Sequence, residues 1–532
     1  MRGKGLEPGY PIGQQNFKIL REDNSIYVDK TMYIEKLIRQ ESRYYFLARP
    51  RRFGKSLFLS TLRYFFEGRR DLFKGLYVDS IDWDWQEYPV LYLDLNTDRY
   101  AEIGQLDGVL ERLLRSWEEK YGVKVKDENF SQRFSTIIEA AHQKTGKQVV
   151  ILVDEYDKPL VGNLNKEENF QHYRTRLASI YSNFKSSAEH IKLVFLTGVS
   201  RFSKLSVFSD LNNIEDITFD DEFADICGIT QQEMLDHFQR GITELAEEEE
   251  TDFKGACEAL KENYDGYRFA RRGSDIYNPW SLLNSLKKRV IANYWNQTGL
   301  PTIIAESLYN NNIDVEEILN TECSRDVLLG LDLKSKYPLA LLFQTGYLTI
   351  KGYDKNSRLY TLGVPNKEVT EGLFSVLLPY YISVRQGTAD TAIDLLKKYI
   401  YSGQPQKMTE CLDIFLSGIP YDLKITNENN FQNALYILLT LIGVKVNAEV
   451  HTSRGRIDLV IKTPEYVYII ELKFDRDAAT AMAQIGEKDY AHPYLSDSRR
   501  IFKIGANFSS KTRHIDTPVI REVEKNAKKL AD

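Results

Sequence analysis

The stretch YYFLARPRRFGKSLFLSTL, residues 44–62, decides the fold of the front half of this chain. Its first five residues are an apolar run that predicts a buried strand, and residues 56–66 have the apolar spacing of a helix. Three further runs of the same kind follow: VLYLDL (residues 90–95), VVILVDE (149–155) and KLVFLTG (192–198). Near-continuous apolar strands separated by helical stretches predict a parallel sheet with helices on both faces. The front half is therefore predicted to have an α/β fold.

The loop between this strand and helix ends in Gly54, Lys55 and Ser56, the last three fixed positions of the P-loop pattern G-x-x-x-x-G-K-[ST]. The first glycine of that pattern falls at Arg49, which lacks glycine's freedom at positive φ. We expect the loop amides to bind phosphate, Lys55 to reach the β and γ phosphates of ATP, and Ser56 to ligate Mg²⁺. The predicted nucleotide-binding residues of the loop are Arg52, Phe53, Gly54, Lys55, Ser56 and Leu57. A chance GKS at a helix start is the alternative.

Polar residues also end the later apolar runs. Asp154 and Glu155 follow one run, as in a Walker B motif, so Asp154 would hold Mg²⁺ and Glu155 would act as the base that orients the attacking water. Thr197 and Arg201 follow the next run and would be a sensor and a cation for the nucleotide. The carboxyl ends of parallel strands meet at one sheet edge, which predicts a single site. An acidic pair that merely ends a strand is the alternative.

Length, composition and charge limit the classes of protein to which this chain can belong. The 532 residues are 42% hydrophobic and 27% charged, which predicts a folded protein of two or three domains. Neither a signal peptide nor a membrane span is evident, and the four cysteines form no CxxC pair, so we expect a cytoplasmic protein without membrane partners. The formal net charge of -6 means that any nucleic-acid site is local. Such a site could use a basic cluster of Arg499, Arg500, Lys503, Lys511, Arg513, Lys525, Lys528 and Lys529, although a solvated tail helix explains the last three equally well.

The pattern changes along the chain and predicts four segments. A P-loop ATPase-like domain (residues 1–225) precedes an α-helical lid or adaptor (226–335). A helix and a hairpin with its turn at residues 354–357 follow (336–424); they allow a winged-helix-like module, although a hairpin packed on helices needs the same pattern. The last segment (425–532) reads helix, strands, helix, strand, which predicts a restriction-endonuclease-like α/β domain.

The rear segment contains a second group of charged residues. Asp458 lies in the strand GRIDLVI, and Glu471 and Lys473 lie two apart in the strand YIIELKF, so these two share one face. This D…ExK arrangement predicts a nuclease site in which Asp458 and Glu471 bind Mg²⁺ or Mn²⁺ and Lys473 stabilises charge or activates water. The alternative is an ion pair within a half-exposed strand.

Two resemblances follow from these motifs. The segments RPRRFGKSL, ILVDEYDKPL, TGVSRFSKLSVFSDLNNIEDIT and YDGYRF followed by YNPWSLLN resemble the predicted AAA-ATPase-like family that is common in gut bacteria, over about the first 300 residues. In that family the degenerate loop is usual, which implies ATP binding despite Arg49. The residues from ALYILLTLIGV to RIFKIGANFSS resemble the PD-(D/E)xK nuclease domain fused behind these ATPases. This resemblance implies Asp458, Glu471, Lys473 and Gln484 as the catalytic set, with Glu428 and Glu449 as candidates for the first carboxylate, whose position varies in this superfamily.

Within the first resemblance, Tyr27, Asp29 and Lys30 belong to a motif upstream of the P-loop that would either cover a nucleotide base or cap the next helix through Asp29. Arg268 would be a lid arginine or a surface ion pair.

These observations support two functions. The first is an ATP-binding, ATP-hydrolysing protein coupled to a magnesium-dependent nuclease, with DNA favoured over RNA as partner. The second is a nucleotide-dependent signalling or scaffold switch whose nuclease fold binds nucleic acid without cleaving it. A homo-oligomer is compatible with both.

Overall fold

A computed structural model of the chain describes residues 8–124, 129–164, 166–201, 213–295, 300–330, 338–381, 388–417, 428–441, 445–452 and 455–523. Its contacts divide the chain into two compact units. The first comprises Met1–Asn296 and Leu319–Val369, and the second comprises Gln297–Ile318 and Thr370–Asp532. The segment boundaries expected after residues 225, 335 and 424 stay predictions.

The elements are numbered along the chain. The helices are α1 (Phe17–Glu22), α2 (Met32–Arg39), α3 (Lys55–Phe66), α4 (Arg70–Phe73), α5 (Gln105–Tyr121), α6 (Phe130–Thr145), α7 (Lys158–Val161), α8 (Glu167–Tyr181), α9 (Asn183–Ser186), α10 (Gln231–Glu248), α11 (Phe253–Tyr264), α12 (Pro279–Lys288), α13 (Leu300–Asn310), α14 (Val315–Leu319), α15 (Arg325–Leu329), α16 (Leu339–Gln344), α17 (Lys367–Tyr381), α18 (Thr388–Tyr401), α19 (Pro405–Ser417), α20 (Glu428–Leu441) and α21 (Ala478–Glu487).

The strands are β1 (Tyr44–Ala48), β2 (Val90–Asp94), β3 (Val149–Asp154), β4 (Ile191–Gly198), β5 (Glu215–Asp216), β6 (Ile229–Thr230), β7 (Ile276–Tyr277), β8 (Glu322–Cys323), β9 (Thr349–Asp354), β10 (Leu359–Gly363), β11 (Lys445–Thr452), β12 (Gly455–Lys462), β13 (Tyr466–Phe474), β14 (Arg500–Ser509), β15 (His514–Ile515) and β16 (Val519–Glu522).

The first unit is built on a parallel sheet in the order β2-β3-β4-β1-β5. Every residue of β1 and β3 is buried, which is why their sequences are apolar throughout. The four expected strands and the α/β class are confirmed, and β5 is an edge strand that the sequence did not predict. The order places β4 between the P-loop strand β1 and the acidic strand β3, so Thr197 lies between the two motifs.

Two helices of the first unit begin at capping residues that can be recognised in the sequence. α10 has a capping box in which Thr230 and Glu233 satisfy each other's backbone amides. α12 begins where Asn278 accepts from two amides and Pro279 occupies the first helical position. The expected hairpin is present as β9 and β10, with Asp354 accepting the amides of its turn, and β8 adds a third strand.

The second unit contains a mixed sheet in the order β11-β12-β13-β14-β15, with β16 also paired to β14. Among the described strand pairs of this sheet, only β13 and β14 run parallel, and α21 connects them and packs on both strands. Apolar side chains of α21 and of the two strands form one core, including Ile469, Ile485 and Ile501. The expected α/β character of this region is confirmed. Over the part of the chain that the structure describes, no helix is long and apolar enough to cross a membrane.

Candidate functional sites

The P-loop joins β1 to α3 through two residues in the left-handed region. Gly54 has φ 98° and precedes the first helical residue, and Arg52 has φ 69°. The Lys55 ammonium is buried and donates to the carbonyl oxygens of Arg49 (3.0 Å) and Pro50 (3.2 Å). It also lies 3.8 Å from the Glu155 carboxylate. Lys55 therefore occupies the inside of the loop, with the acidic motif opposite.

Arg49 explains why the loop needs no glycine at its entry. Its φ is not positive, so glycine's conformational freedom is not required there. Its guanidinium is buried and donates to the carbonyls of Thr218 (2.8 Å), Phe223 (3.1 Å) and its neighbour Ala48 (2.9 Å). It also lies 4.6 Å from the centre of the Phe269 ring. Burial lowers the pKa of Arg49 to about 10, which leaves it charged at neutral pH. Arg49 is thus a packing residue and points away from the inside of the loop.

The acidic motif meets the end of β4. Asp154 is buried, and its carboxylate accepts from the Thr197 hydroxyl (2.7 Å) and lies 3.4 Å from the Tyr92 hydroxyl. Glu155 has φ 53°, an uncommon conformation for a side chain of this size. The structure therefore brings Lys55, Asp154, Glu155 and Thr197 to one sheet edge. Ser56 lies in the first turn of α3 at the same edge.

Three arginines of the predicted site are engaged with protein groups. Arg201 pairs with Asp216 at 2.8 Å. Arg52 stacks on Trp280 (4.3 Å from the ring centre) and donates to the Tyr294 carbonyl (3.0 Å). Arg268 pairs with Asp275 at 2.8 Å, which fits the ion-pair alternative. A role for any of these side chains on phosphate requires it to exchange a partner.

Two carboxylates of this edge were missed by the sequence reasoning. Asp94 ends β2 and is the register partner of Asp154; burial, and then the Asp154 charge, raise its pKa. Asp157 is buried and accepts from the amides of Val199 (3.0 Å) and Ser200 (2.6 Å), and burial raises its pKa to about 7. The signal for Asp94 was present, because the run VLYLD ends in an acid as VVILVD does.

An apolar pocket opens beside the P-loop. Its walls include Gly54 and Leu57 from the loop and first turn, Tyr27 and Val28 from the N-terminal segment, and Leu283 from α12. Phe53, also in its wall, packs edge-on against Tyr267 at 4.8 Å. The upstream motif thus contributes to the pocket through Tyr27.

The other two residues of the upstream motif make protein contacts. Lys30 pairs with Glu233 at 2.6 Å. Asp29 accepts from Thr31 and from the amide of Tyr77, so it orders the chain before α2.

The rear site is a chain of polar contacts on β13 and α21. Glu471 is fully buried, and Lys473 donates both to its carboxylate (2.8 Å) and to the Gln484 side-chain oxygen (2.7 Å). The Gln484 amide lies 3.4 Å from the buried Tyr490 hydroxyl. Asp458 lies on β12 directly before Leu459, the partner of Ile470, and only its backbone is described. The same holds for Glu428 on α20 and Glu449 on β11.

The basic cluster is partly neutralised. Arg499 pairs with Asp497, and Arg500 pairs with Glu522 at 2.7 Å. Lys525, Lys528 and Lys529 lie outside the described residues. Two of the expected phosphate-binding arginines are therefore already paired with carboxylates.

The oxygen donors at both sites fit Mg²⁺. Asp154 and the Ser56 hydroxyl at the front, and Glu471 at the rear, are hard ligands of the kind that Mg²⁺ prefers. Among the described side chains, no group of three or more His, Cys, Asp or Glu residues could hold a metal by itself. This suits Mg²⁺, which is commonly held by one or two carboxylates together with water and substrate phosphates.

A P-loop opposite a strand-end acidic motif defines the front unit as an ATPase-like domain, and the ExK strand with its helix glutamine defines the rear sheet as nuclease-like. Residues 11–208 match the family described as "Predicted AAA-ATPase", and residues 426–517 match the "PD-(D/E)XK nuclease superfamily". A protein of Azotobacter chroococcum mcd 1, "Uncharacterized protein in vnfD 5'region", is 34% identical over 523 residues, which cover 95% of this chain and 97% of that protein. The chain belongs to the family of predicted AAA-ATPases that carry a PD-(D/E)XK nuclease superfamily domain.

Proposed function

We propose that this protein binds and hydrolyses ATP in its first unit and cleaves nucleic acid, DNA in preference to RNA, in its second. The observation that carries the proposal is the meeting of Lys55, Asp154, Glu155 and Thr197 at the carboxyl edge of one parallel sheet. Cations, hard oxygen ligands and a carboxylate base are the groups that phosphoryl transfer to water requires.

Each group of the front site has a role in this proposal. The amides at the start of α3 and the Lys55 ammonium bind the phosphates, and Asp154 and Ser56 hold Mg²⁺, which supplies positive charge to the phosphate oxygens when bound. Glu155 accepts a proton from the attacking water. Thr197 fixes the Asp154 carboxylate by donating to it. The apolar pocket beside Gly54 and Leu57 would take the base, because a nucleotide whose phosphates lie on the loop extends along the first turn of α3.

The rear site would act through Asp458 and Glu471 as Mg²⁺ or Mn²⁺ ligands. Lys473, fixed between Glu471 and Gln484, is placed to stabilise negative charge on the scissile phosphate. A half-buried lysine ammonium with two oriented acceptors needs no rearrangement to perform this role. A cytoplasmic location and a homo-oligomer stay predictions.

The experiment compares the full-length protein with Lys55→Ala and Asp458→Ala. ATP binding is followed by calorimetry, and cleavage is followed on linear DNA, single-stranded DNA and RNA with Mg²⁺ or Mn²⁺. We expect Lys55→Ala to weaken ATP binding and Asp458→Ala to abolish cleavage while ATP binding persists, because the two groups belong to separate compact units.

Each half of the proposal can fail alone. A wild-type protein with no calorimetric response to ATP would refute the front half. Equal cleavage by wild type, Asp458→Ala and Glu471→Ala would refute the rear half. Nucleic-acid binding without cleavage by the wild type would favour the switch in its place.

A further inference from the structure

The residues after the acidic motif are bonded to the residues that leave β4. The Tyr156 amide donates to the Thr197 carbonyl (2.9 Å), and its hydroxyl donates to the Ser200 carbonyl (2.8 Å). Asp157 accepts from the amides of Val199 and Ser200. We call these contacts between residues 156–157 and 197–200 the strand-exit clamp.

Gly198 allows the clamp to close this tightly. A Cβ atom at this position would lie 2.6 Å from Tyr156 ring atoms and 2.7 Å from the Asp157 carboxylate, closer than such atoms approach in proteins. The Tyr156 and Asp157 side chains therefore lie directly against Gly198, and the two segments are in close contact. A larger residue at 198 would separate them.

Glu155 depends on this contact. It enters the clamp with φ 53°, a conformation that costs a non-glycine residue on the order of 1–3 kcal/mol and persists only where neighbouring contacts hold it. The downstream contacts are those of Tyr156 and Asp157. The upstream contact is Asp154, bonded to Thr197. Both sides of Glu155 are thus anchored to the end of β4.

We infer that Asp157 is a positioning residue for ATP hydrolysis, which fixes Glu155 against the end of β4 through the strand-exit clamp. The inference rests on the proposed ATPase function. Asp157 is buried, and its carboxylate accepts from the backbone amides of Val199 and Ser200, so its effect passes through the backbone that it bonds. Nucleotide affinity, which depends on the loop and Lys55, is separate from it.

Asp157→Asn tests this in the full-length protein, because an amide keeps the shape but replaces one carboxylate oxygen by an NH₂ donor, either the oxygen that accepts from both amides or the one that accepts from Val199 alone at 3.2 Å. We expect kcat for ATP hydrolysis to fall about 10- to 100-fold, the cost of a misplacement of about 1 Å, while the Kd for ATP stays within about twofold. Tyr156→Phe removes one clamp bond and should lower kcat by a smaller factor. Asp265→Asn, which changes another buried aspartate with a raised pKa, is the matched control and should leave kcat unchanged.

A double-mutant cycle separates positioning from general damage. If Asp157 acts through Glu155, then Glu155→Gln combined with Asp157→Asn should hydrolyse ATP no more slowly than Glu155→Gln alone. If the two substitutions instead multiply each other's effect on kcat, the inference is wrong. It is also wrong if Asp157→Asn has the wild-type kcat, or if it loses kcat and ATP affinity equally. If Asp157→Asn does not fold, Tyr156→Phe carries the same test. A wild type that binds ATP without turning it over would overturn the proposed hydrolysis together with this inference.

Discussion

Replacing Arg49 by the glycine of the P-loop pattern should destabilise this protein. Arg49→Gly removes a buried guanidinium that bonds the carbonyls of Thr218 and Phe223 and stacks on Phe269. Each buried carbonyl that loses its donor costs about 1–3 kcal/mol, and the ring contact contributes about 2 kcal/mol when desolvated. The substitution also removes a charge that is costly to bury, and this gain in stability offsets part of the loss. We expect a net loss of about 3–5 kcal/mol in the free energy of unfolding of the first unit.

Tryptophan fluorescence during urea unfolding measures this loss selectively. All five tryptophans, at positions 83, 85, 117, 280 and 295, lie in the first unit, so their emission reports its unfolding and not that of the second. Arg51→Gly, in the same loop, is the control and should shift the midpoint far less. Calorimetry with ATP completes the test. An Arg49→Gly protein that unfolds at the wild-type urea concentration, or that binds ATP more tightly, would refute the packing role.

Three further outcomes are expected. Burial raises the pKa of Glu368 to about 7, so the folded state binds the extra proton between about pH 4 and 7 and stability falls as pH rises through that window. Glu368→Gln keeps an acceptor for the amides of Tyr294 and Trp295 but cannot lose a proton. Urea unfolding at pH 5 and pH 8 should therefore show that the fall in the free energy of unfolding between these pH values is smaller in this variant by on the order of 3 kcal/mol. Gln484→Leu should slow DNA cleavage about 10- to 100-fold without changing Mn²⁺ affinity, because only the orientation of the ammonium beside it is lost. Gly198→Ala should lower the free energy of unfolding by about 1–3 kcal/mol through overpacking, and an unchanged melting curve would contradict the close approach described for it.

The sequence predicted best those elements whose signal lies within their own residues. The sequences of β1, β2, β3 and β4 are apolar because both faces of a parallel sheet are covered, so their apolar runs were enough to identify them. The hairpin of β9 and β10 carried its own turn signal. Glu471 and Lys473 lie on one face because side chains alternate along a strand, and that contact was also predictable.

What the sequence did not predict depends on partners far along the chain. Arg49 looked like a defect in the P-loop because its acceptors, Thr218 and Phe223, come about 170 residues later, and no local pattern connects them. Arg500 looked like a free cation because its partner, Glu522, lies on a strand that the sequence did not indicate. The partner of Arg499, Asp497, is only two residues away, and this pair was overlooked. The wall of the apolar pocket combines segments that are distant in sequence, so periodicity carries no information about it.

The composition of that pocket wall has a consequence for shortened chains. The wall takes residues from Pro11 to Lys30, before the phosphate loop in sequence, and residues from Ile226 to Leu283, after it. A fragment that starts at Tyr44 would keep the complete loop motif, but it would lose the N-terminal part of the wall and the core residues Phe17 and Leu20. Such a fragment should be less stable than the full chain and should discriminate poorly among nucleosides. In the full chain, a nucleoside bound in this pocket would contact both contributing segments, so it should slow proteolysis of the N-terminal segment.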